Sequence, residues 1–108
     1  MRVEEDRGHA VHYRAVKRGT PVYAADGERV GSVVRVLDNY RENILDGIVF
    51  RDRDGRKRFV DAPEVERTYE RAVLLNIDSR AALELGPPRH GALHDALLTS
   101  PLGRLFRR

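Results

Sequence analysis

The 108-residue chain contains no cysteine, no tryptophan and only three phenylalanines. The absence of cysteine excludes disulfides, thiolate nucleophiles and thiolate metal sites, and it agrees with a reducing compartment. No apolar run approaches the roughly 20 residues that a membrane helix needs, and the N-terminus lacks the apolar centre and cleavage site of a signal peptide. The sequence therefore predicts a cytoplasmic protein.

An excess of charge of one sign is also absent from most of the chain. The formal net charge is +3, but residues 1–85 carry 16 basic and 16 acidic residues, so the whole excess follows Gly86. A surface dedicated to phosphate normally gathers lysine and arginine without interleaved acids. The balance argues against a folded body dedicated to nucleic acid and assigns the basic character to a C-terminal tail.

What the sequence does contain is a series of short alternating apolar segments separated by turn signals, which is typical of antiparallel strands. Asp26-Gly27 is a dipeptide that favours a tight hairpin turn, and Pro63 predicts a bend or an edge. We predict a small, strongly coiled antiparallel β-barrel of five or six strands within residues 13–80. The strands are predicted at 22–24, 30–37, 44–51, 56–62 and 72–77.

Two other segments flank the predicted barrel. Residues 1–12 mix charge, glycine and histidine without periodicity, and we expect them to be flexible. Residues 81–108 form a basic extension with short helical segments: Asp78 or Ser79 caps the first, which Gly86 ends, and Leu93 and Leu97 are spaced as in a second.

Glycines inside the strands indicate tight coiling. Gly27 closes the first hairpin, whereas Gly31 and Gly47 lie within strands, where a missing side chain permits a bulge, a bend or close approach of another backbone. A sheet of five or six strands must coil strongly to close, and such glycines relieve the strain. We interpret all three as residues that serve the fold.

The order and spacing of these features resemble the PRC-barrel domain, the β-barrel module shared by the H subunit of photosynthetic reaction centres and the C-terminal part of the ribosome maturation factor RimM. The resemblance covers about residues 13–80 and implies a barrel with no catalytic motif. The chain resembles the small stand-alone PRC-barrel proteins of bacteria, since it has neither the membrane helix of the H subunit nor room for the N-terminal domain of RimM. The matching residues are Gly19, Val22, Asp26, Gly27, Gly31 and Val33.

The residue patterns give little support to metal binding. Asp52 and Asp54 before Gly55 are like the start of a calcium loop, but the bidentate glutamate is missing and the surrounding arginines would repel a cation. The pairs His9/His12 and His90/His94 have ligand-like spacing but no third ligand on a rigid element. We therefore predict a hairpin turn at Asp52–Gly55, exposed tail histidines and no metal.

The patterns give equally little support to catalysis. Ser32 and Thr68 have no histidine within the predicted barrel to activate them. The paired carboxylates, such as Asp38 with Glu42, each have an arginine close in sequence, which is typical of solvated charge pairs. We predict no enzymatic activity, no cofactor and no small-molecule substrate.

Two segments remain as candidate contact surfaces. The basic hairpin with the sequence RDRDGRKR could contact RNA phosphates, with Tyr40 as a stacking partner, although the balanced charge favours a solvated turn. The tail PLGRLFRR is amphipathic and could dock on a protein groove or an anionic membrane, or else cover an open barrel edge.

The sequence thus predicts a non-catalytic interaction module that associates with itself, as a homodimer or larger homo-oligomer, or docks on a protein. Its predicted contacts are Leu93, Leu97, Leu102, Leu105 and Phe106. One alternative is an RNA- or ribosome-associated factor similar to RimM, which would use Tyr40, Arg56, Lys57 and Arg58. A second alternative is a peripheral adaptor on a membrane surface.

Overall fold

The fold is mostly β. A computed structural model of the chain describes residues 7–39, 42 and 44–88. Within them lie two single-turn 3₁₀ helices, Tyr13–Ala15 and Ala62–Glu64, and a short helix α1, Ser79–Ala82. The strands are β1 (Pro21–Tyr23), β2 (Arg29–Asn39), β3 (Ile44–Arg51), β4 (Lys57–Asp61), β5 (Val65–Tyr69) and β6 (Ala72–Leu75).

The six strands form one curled sheet in the order β4-β3-β2-β1-β6-β5. The two edge strands, β4 and β5, are consecutive in the sequence and are joined only by Ala62–Glu64. The four residue steps from Asp61, the end of β4, to Val65, the start of β5, reach at most about 14 Å. The sheet must therefore curl until its two edges approach each other at this connection. The result is a half-barrel, which confirms the predicted all-β, barrel-like class.

One strand pair departs from the predicted antiparallel arrangement. β1 and β6 pair in parallel, with Val22 opposite Val73 and Tyr23 opposite Leu74, whereas all other neighbours are antiparallel. A parallel pair needs a long crossover, here the chain from β2 through β5. The sheet is therefore mixed.

The core lies on the inner, concave face of this sheet. Alternation along β3 places Ile48 and Phe50 inside. Their cross-strand partners face the same way, Val33 on β2 opposite Phe50 and Val60 on β4 opposite Ile48. Ile44 was predicted to share their face, but the register of β3 shifts between Gly47 and Leu45, so Leu45 packs against the core and Ile44 is 50% exposed. The largest fully buried side chains are Val22, Val30, Ile48, Phe50, Val60, Val73 and Leu75.

The three glycines singled out from the sequence occupy two kinds of position. Gly27 has a φ of +89° in the β1–β2 turn, a conformation that L side chains rarely adopt. Gly31 faces the core where β2 approaches β3: a Cβ there would overlap the Arg51 carbonyl oxygen and lie 2.8 Å from Phe50 Cδ2. At Gly47 the space of a Cβ is filled by the Phe59 ring, with Cζ 2.5 Å away.

Both edges of the sheet are covered in part by the chain itself. Residues 7–11 run along β5 and the turn after it: Val11 N–H donates to the Thr68 carbonyl at 3.0 Å, and Glu70 N–H donates to the His9 carbonyl at 3.0 Å. The sequence predicted a flexible segment over 1–12. Residues 1–6 of it lie outside the described part, and residues 7–11 pair with the sheet through backbone hydrogen bonds, which need no apolar periodicity. At the opposite edge, Phe59 N–H donates to the Gly86 carbonyl at 2.9 Å.

Helix α1 is capped as the sequence predicted and is tied to the first hairpin. The Asp78 carboxylate accepts a hydrogen bond from Ala81 N–H at 2.8 Å. The Asp26 carboxylate accepts from the Ser79 hydroxyl at 2.7 Å and from Ser79 N–H at 3.1 Å. These hydrogen bonds hold the pKa of Asp26 below its ordinary value, and the bond from the Ser79 hydroxyl contributes most to the shift.

Candidate nucleic-acid interface

The β3–β4 hairpin is organised around the carboxylate of Asp52. Its Oδ1 accepts hydrogen bonds from Asp54 N–H and Arg56 N–H, both at 2.9 Å, and its Oδ2 pairs with Arg58 Nε at 2.8 Å. Burial alone raises the pKa of Asp52, but these hydrogen bonds together outweigh it and hold the pKa below its ordinary value. The acid therefore stabilises the turn by accepting bonds from the chain.

The histidine pairs were also weighed as metal ligands in the sequence, and the structure describes one of the two pairs. His12 Nδ1 accepts a hydrogen bond from Arg14 N–H at 3.2 Å, and His9 is exposed. Within the described residues, no three histidine, aspartate or glutamate side chains converge to hold a metal ion. His90 and His94 lie outside the described residues.

Arg58, one of the predicted RNA contacts, is engaged within the fold. Besides its pair with Asp52, its guanidinium donates to the Leu85 carbonyl at 2.6 Å, and its side chain is only 16% exposed. Arg58 thus fixes residues 85–86 beside β4, where Phe59 binds Gly86. Of the predicted contacts in this hairpin, Arg56 and Lys57 are exposed.

The outer face of the sheet beside this hairpin carries basic residues in register. Because Phe50 and Val33 point into the core, the next residue along β3, Arg51, and the preceding residue on β2, Ser32, point outward. Cross-strand pairing places Arg51 between Ser32 on β2 and Lys57 on β4. Like charges directly opposite each other destabilise a sheet, so Arg51 and Lys57 repel each other when nothing lies between them.

Two more arginines extend this row. Arg29 is in register with Tyr23, which faces outward because Val22 is buried, and Arg29 Nε lies 3.4 Å from the Gly31 carbonyl oxygen. Arg53 is exposed in the turn after β3. We call the set Arg29, Ser32, Arg51, Arg53 and Lys57 the basic face. No ion pair found within the described part of the chain involves any of its four cations.

Two adjoining cavities lie at the basic face. One, of about 310 Å³, is lined by Gly31, Ser32, Asp52 and the three arginines of the basic face. The second, of about 190 Å³, shares Arg29, Asp52 and Arg53 with the first and continues toward Val30 and Leu83. The two cavities therefore adjoin at these shared residues, and we call the two together the groove, whose lining extends to Leu83, just after α1.

Several predicted contacts cannot be placed on this groove. Tyr40, the predicted stacking partner, lies outside the described residues. So do the predicted protein contacts Leu93, Leu97, Leu102, Leu105 and Phe106. The part of the association hypothesis that relied on open strand edges is weakened, since residues 9–11 and Gly86 already bind β5 and β4. The hypothesis of a docking tail stays a prediction.

Sequence reasoning missed Arg29, Ser32 and Tyr23 as members of this region. Arg29 is 22 residues from Arg51 in the chain, and only the pairing of β2 with β1 and β3 brings these residues together. No local signal places Ser32 beside Arg51, because the register of β2 with β3 shifts between Val33 and Arg35 and again between Leu37 and Asp38. The neutral total of residues 1–85 concealed the local concentration of positive charge.

Comparison with models of known protein families and with curated proteins gives no match to this chain. Among the described residues, the helices are too short and too polar for any of them to span a bilayer.

Proposed function

We propose that the chain is a PRC-barrel-type, non-catalytic module that binds the phosphate backbone of RNA with its basic face, in the cytoplasm. The observation that carries the proposal is the cross-strand register of Arg51 with Lys57, flanked by Arg29 and Arg53. Four cations without ion-pair partners in the described structure repel one another, and a polyanion relieves that repulsion. The curled all-β sheet and the glycine positions support the PRC-barrel part of the proposal.

Several features favour a nucleic acid over another anion. The groove comprises two adjoining cavities and so offers more room than a single phosphate needs, and Ser32 offers a hydroxyl donor beside Arg51. Tyr23 lies beside Arg29 on the same outer face, where an aromatic ring can stack on a base. A surface that binds single-stranded nucleic acid needs cations for the phosphates, hydrogen-bond donors and an aromatic ring on which a base can stack, and this face offers all three.

Salt dependence tests this proposal directly. If all four cations contact phosphates of a single strand, the logarithm of the affinity falls with that of salt with a slope of about −3, or roughly 50-fold between 50 and 200 mM. Fluorescence anisotropy with a labelled 12-nucleotide RNA measures the slope. For the double variant R51Q/K57Q we expect a slope of about half that size and weaker binding at every salt concentration.

The matched control is the double variant R35Q/R67Q. Arg35 and Arg67 are exposed on β2 and β5, outside the basic face, so this variant has the same net charge as R51Q/K57Q. We expect its affinity and slope to stay close to those of the unchanged protein. Equal losses in both double variants, or binding that does not vary with salt, would contradict the proposal.

A further inference from the structure

The smaller cavity is lined by the Asp52–Arg58 ion pair and by two further carboxylates and two further arginines that are not paired with one another. It is lined by Glu28 and Asp54 as well as by Arg29 and Arg53, and no ion pair within the described residues joins these acids to these bases. A site for phosphate alone would gain nothing from Glu28 and Asp54, which repel an anion. A ligand that carries both an anionic group and hydrogen-bond donors would satisfy both kinds of side chain.

The remaining wall of this cavity consists of two apolar residues and of the paired side chains of Asp52 and Arg58. Val30 is buried in the core below it, and Leu83, just after α1, is 41% exposed at its rim. At about 190 Å³ the cavity is below the roughly 300–1,000 Å³ of sites for drug-sized ligands, so it suits one small group. A sugar ring has the required character, with apolar ring carbons and hydroxyl donors at its edge.

We infer that this cavity holds the ribose of one bound nucleotide and that the carboxylate of Glu28 or Asp54 accepts the one hydrogen bond that its 2′-hydroxyl can donate. The inference rests on the proposed binding of RNA phosphates by the basic face. Arg29 and Arg53 line both cavities, so a phosphate held between them sits beside the smaller cavity, where the sugar attached to it would enter. The carboxylates thereby select RNA over DNA, because the 2′-hydroxyl is the group that DNA lacks.

The test compares three labelled 12-nucleotide strands of one sequence: RNA, DNA and 2′-O-methyl RNA, which keeps the ribose oxygen but has lost its donor hydrogen. We expect the full-length protein to bind RNA about tenfold more tightly than either of the others, which is the effect of one hydrogen bond to a charged group. In the double variant E28A/D54A the three affinities should be equal to within about twofold.

The matched control for this test is the double variant D61A/E66A, which removes the same charge from exposed positions elsewhere. Both double variants should bind DNA and 2′-O-methyl RNA more tightly because they repel phosphate less, but only E28A/D54A should lose the preference for RNA. Equal binding of RNA and DNA by the unchanged protein would overturn the inference and leave the proposed function standing. Failure to bind any strand would overturn both.

Discussion

At the scale of single residues, Asp52 shows how a turn motif acquires a structural function. The sequence places it in a run of aspartates and arginines that is ambiguous between a cation loop and a solvated turn. In the fold its side chain is only 3% exposed, and it accepts bonds from three groups of its own hairpin. The arginine it binds, Arg58, is thereby withdrawn from the basic face. Arg51 donates to the Gly55 carbonyl at 3.0 Å and, like Arg53 and Lys57, has no ion-pair partner among the described residues.

We therefore expect D52N to destabilise the protein by about 2 kcal/mol at pH 7, because the charge-assisted bonds to the carboxylate weaken and Arg58 loses its counter-charge. The pKa of Asp52 is lowered by folding, so its contribution is complete above the unfolded carboxyl pKa of about 3.9. It is lost as the pH falls through the lower pKa of the folded protein. The difference between wild type and D52N should therefore shrink progressively below about pH 4.

Urea unfolding at a series of pH values measures this difference. The matched control is D61N, since Asp61 is exposed at the end of β4 and its side chain makes no capping hydrogen bond. We expect a change within about 0.5 kcal/mol for that variant. A D52N effect that stays constant from pH 7 to pH 3 would contradict the assigned role of the carboxylate.

At the scale of elements, the strands with the clearest apolar alternation were predictable and the rest were not. β3 matches its prediction at both ends, and the turn at Asp26-Gly27 and the break at Pro63 are where turn chemistry placed them. β5, with the sequence VERTY, was not delimited, because its outer positions are polar and its pairing partner β6 supplies the register. No local sequence pattern indicates the parallel pairing of β1 with β6, because the two strands are far apart in the chain and meet only in the tertiary structure.

The same reasoning explains what could be predicted of the candidate site. The basic hairpin was identified because its arginines and lysine are contiguous in sequence. The positions of Arg29 and Ser32 depend on two shifts in the register of β2. One lies between Val22 and Tyr23 in its pairing with β1, and the other lies between Val33 and Arg35 in its pairing with β3. A shift of one residue reverses the face that each side chain occupies, so the site could be assembled only from the pairing itself.

The N-terminal segment offers a prediction at this scale. Glu70 N–H and Arg71 N–H donate to the carbonyls of His9 and Arg7, so both amides should exchange slowly with deuterium in the full chain. In a chain without residues 1–11 we expect both to exchange at least tenfold faster, because their acceptors are gone. Mass spectrometry or NMR of the exchanging amides measures this.

The internal control is the amide of Val73, a fully buried residue of β6, a strand that residues 7–11 do not contact through any hydrogen bond found in the described structure. Its protection should change by much less than that of Glu70. Unchanged exchange at Glu70 and Arg71 would show that the N-terminal segment does not cover this edge in solution.

At the scale of the whole molecule, the question is whether association uses the half-barrel or the tail. An open edge strand is a general route to pairing between chains. Here, β5 is bound by residues 9–11 and β4 by Gly86, and apart from Ile44 and Leu83 the large apolar residues of the described part are not exposed. This leaves the apolar residues of the tail as the predicted surface for self-association.

We expect the full chain to self-associate at micromolar concentration and a variant with serine at Leu93, Leu97, Leu102, Leu105 and Phe106 to sediment as a monomer. Replacing Ile44, an exposed apolar residue of the half-barrel, by serine is the control and should leave the association unchanged. The charge of the serine variant is unaltered, so its affinity for RNA should be retained if the basic face acts within one chain. If the serine variant loses RNA binding together with association, the groove is completed by a second copy of the chain. If the serine variant still self-associates, the contact between copies lies on the half-barrel and not on the tail.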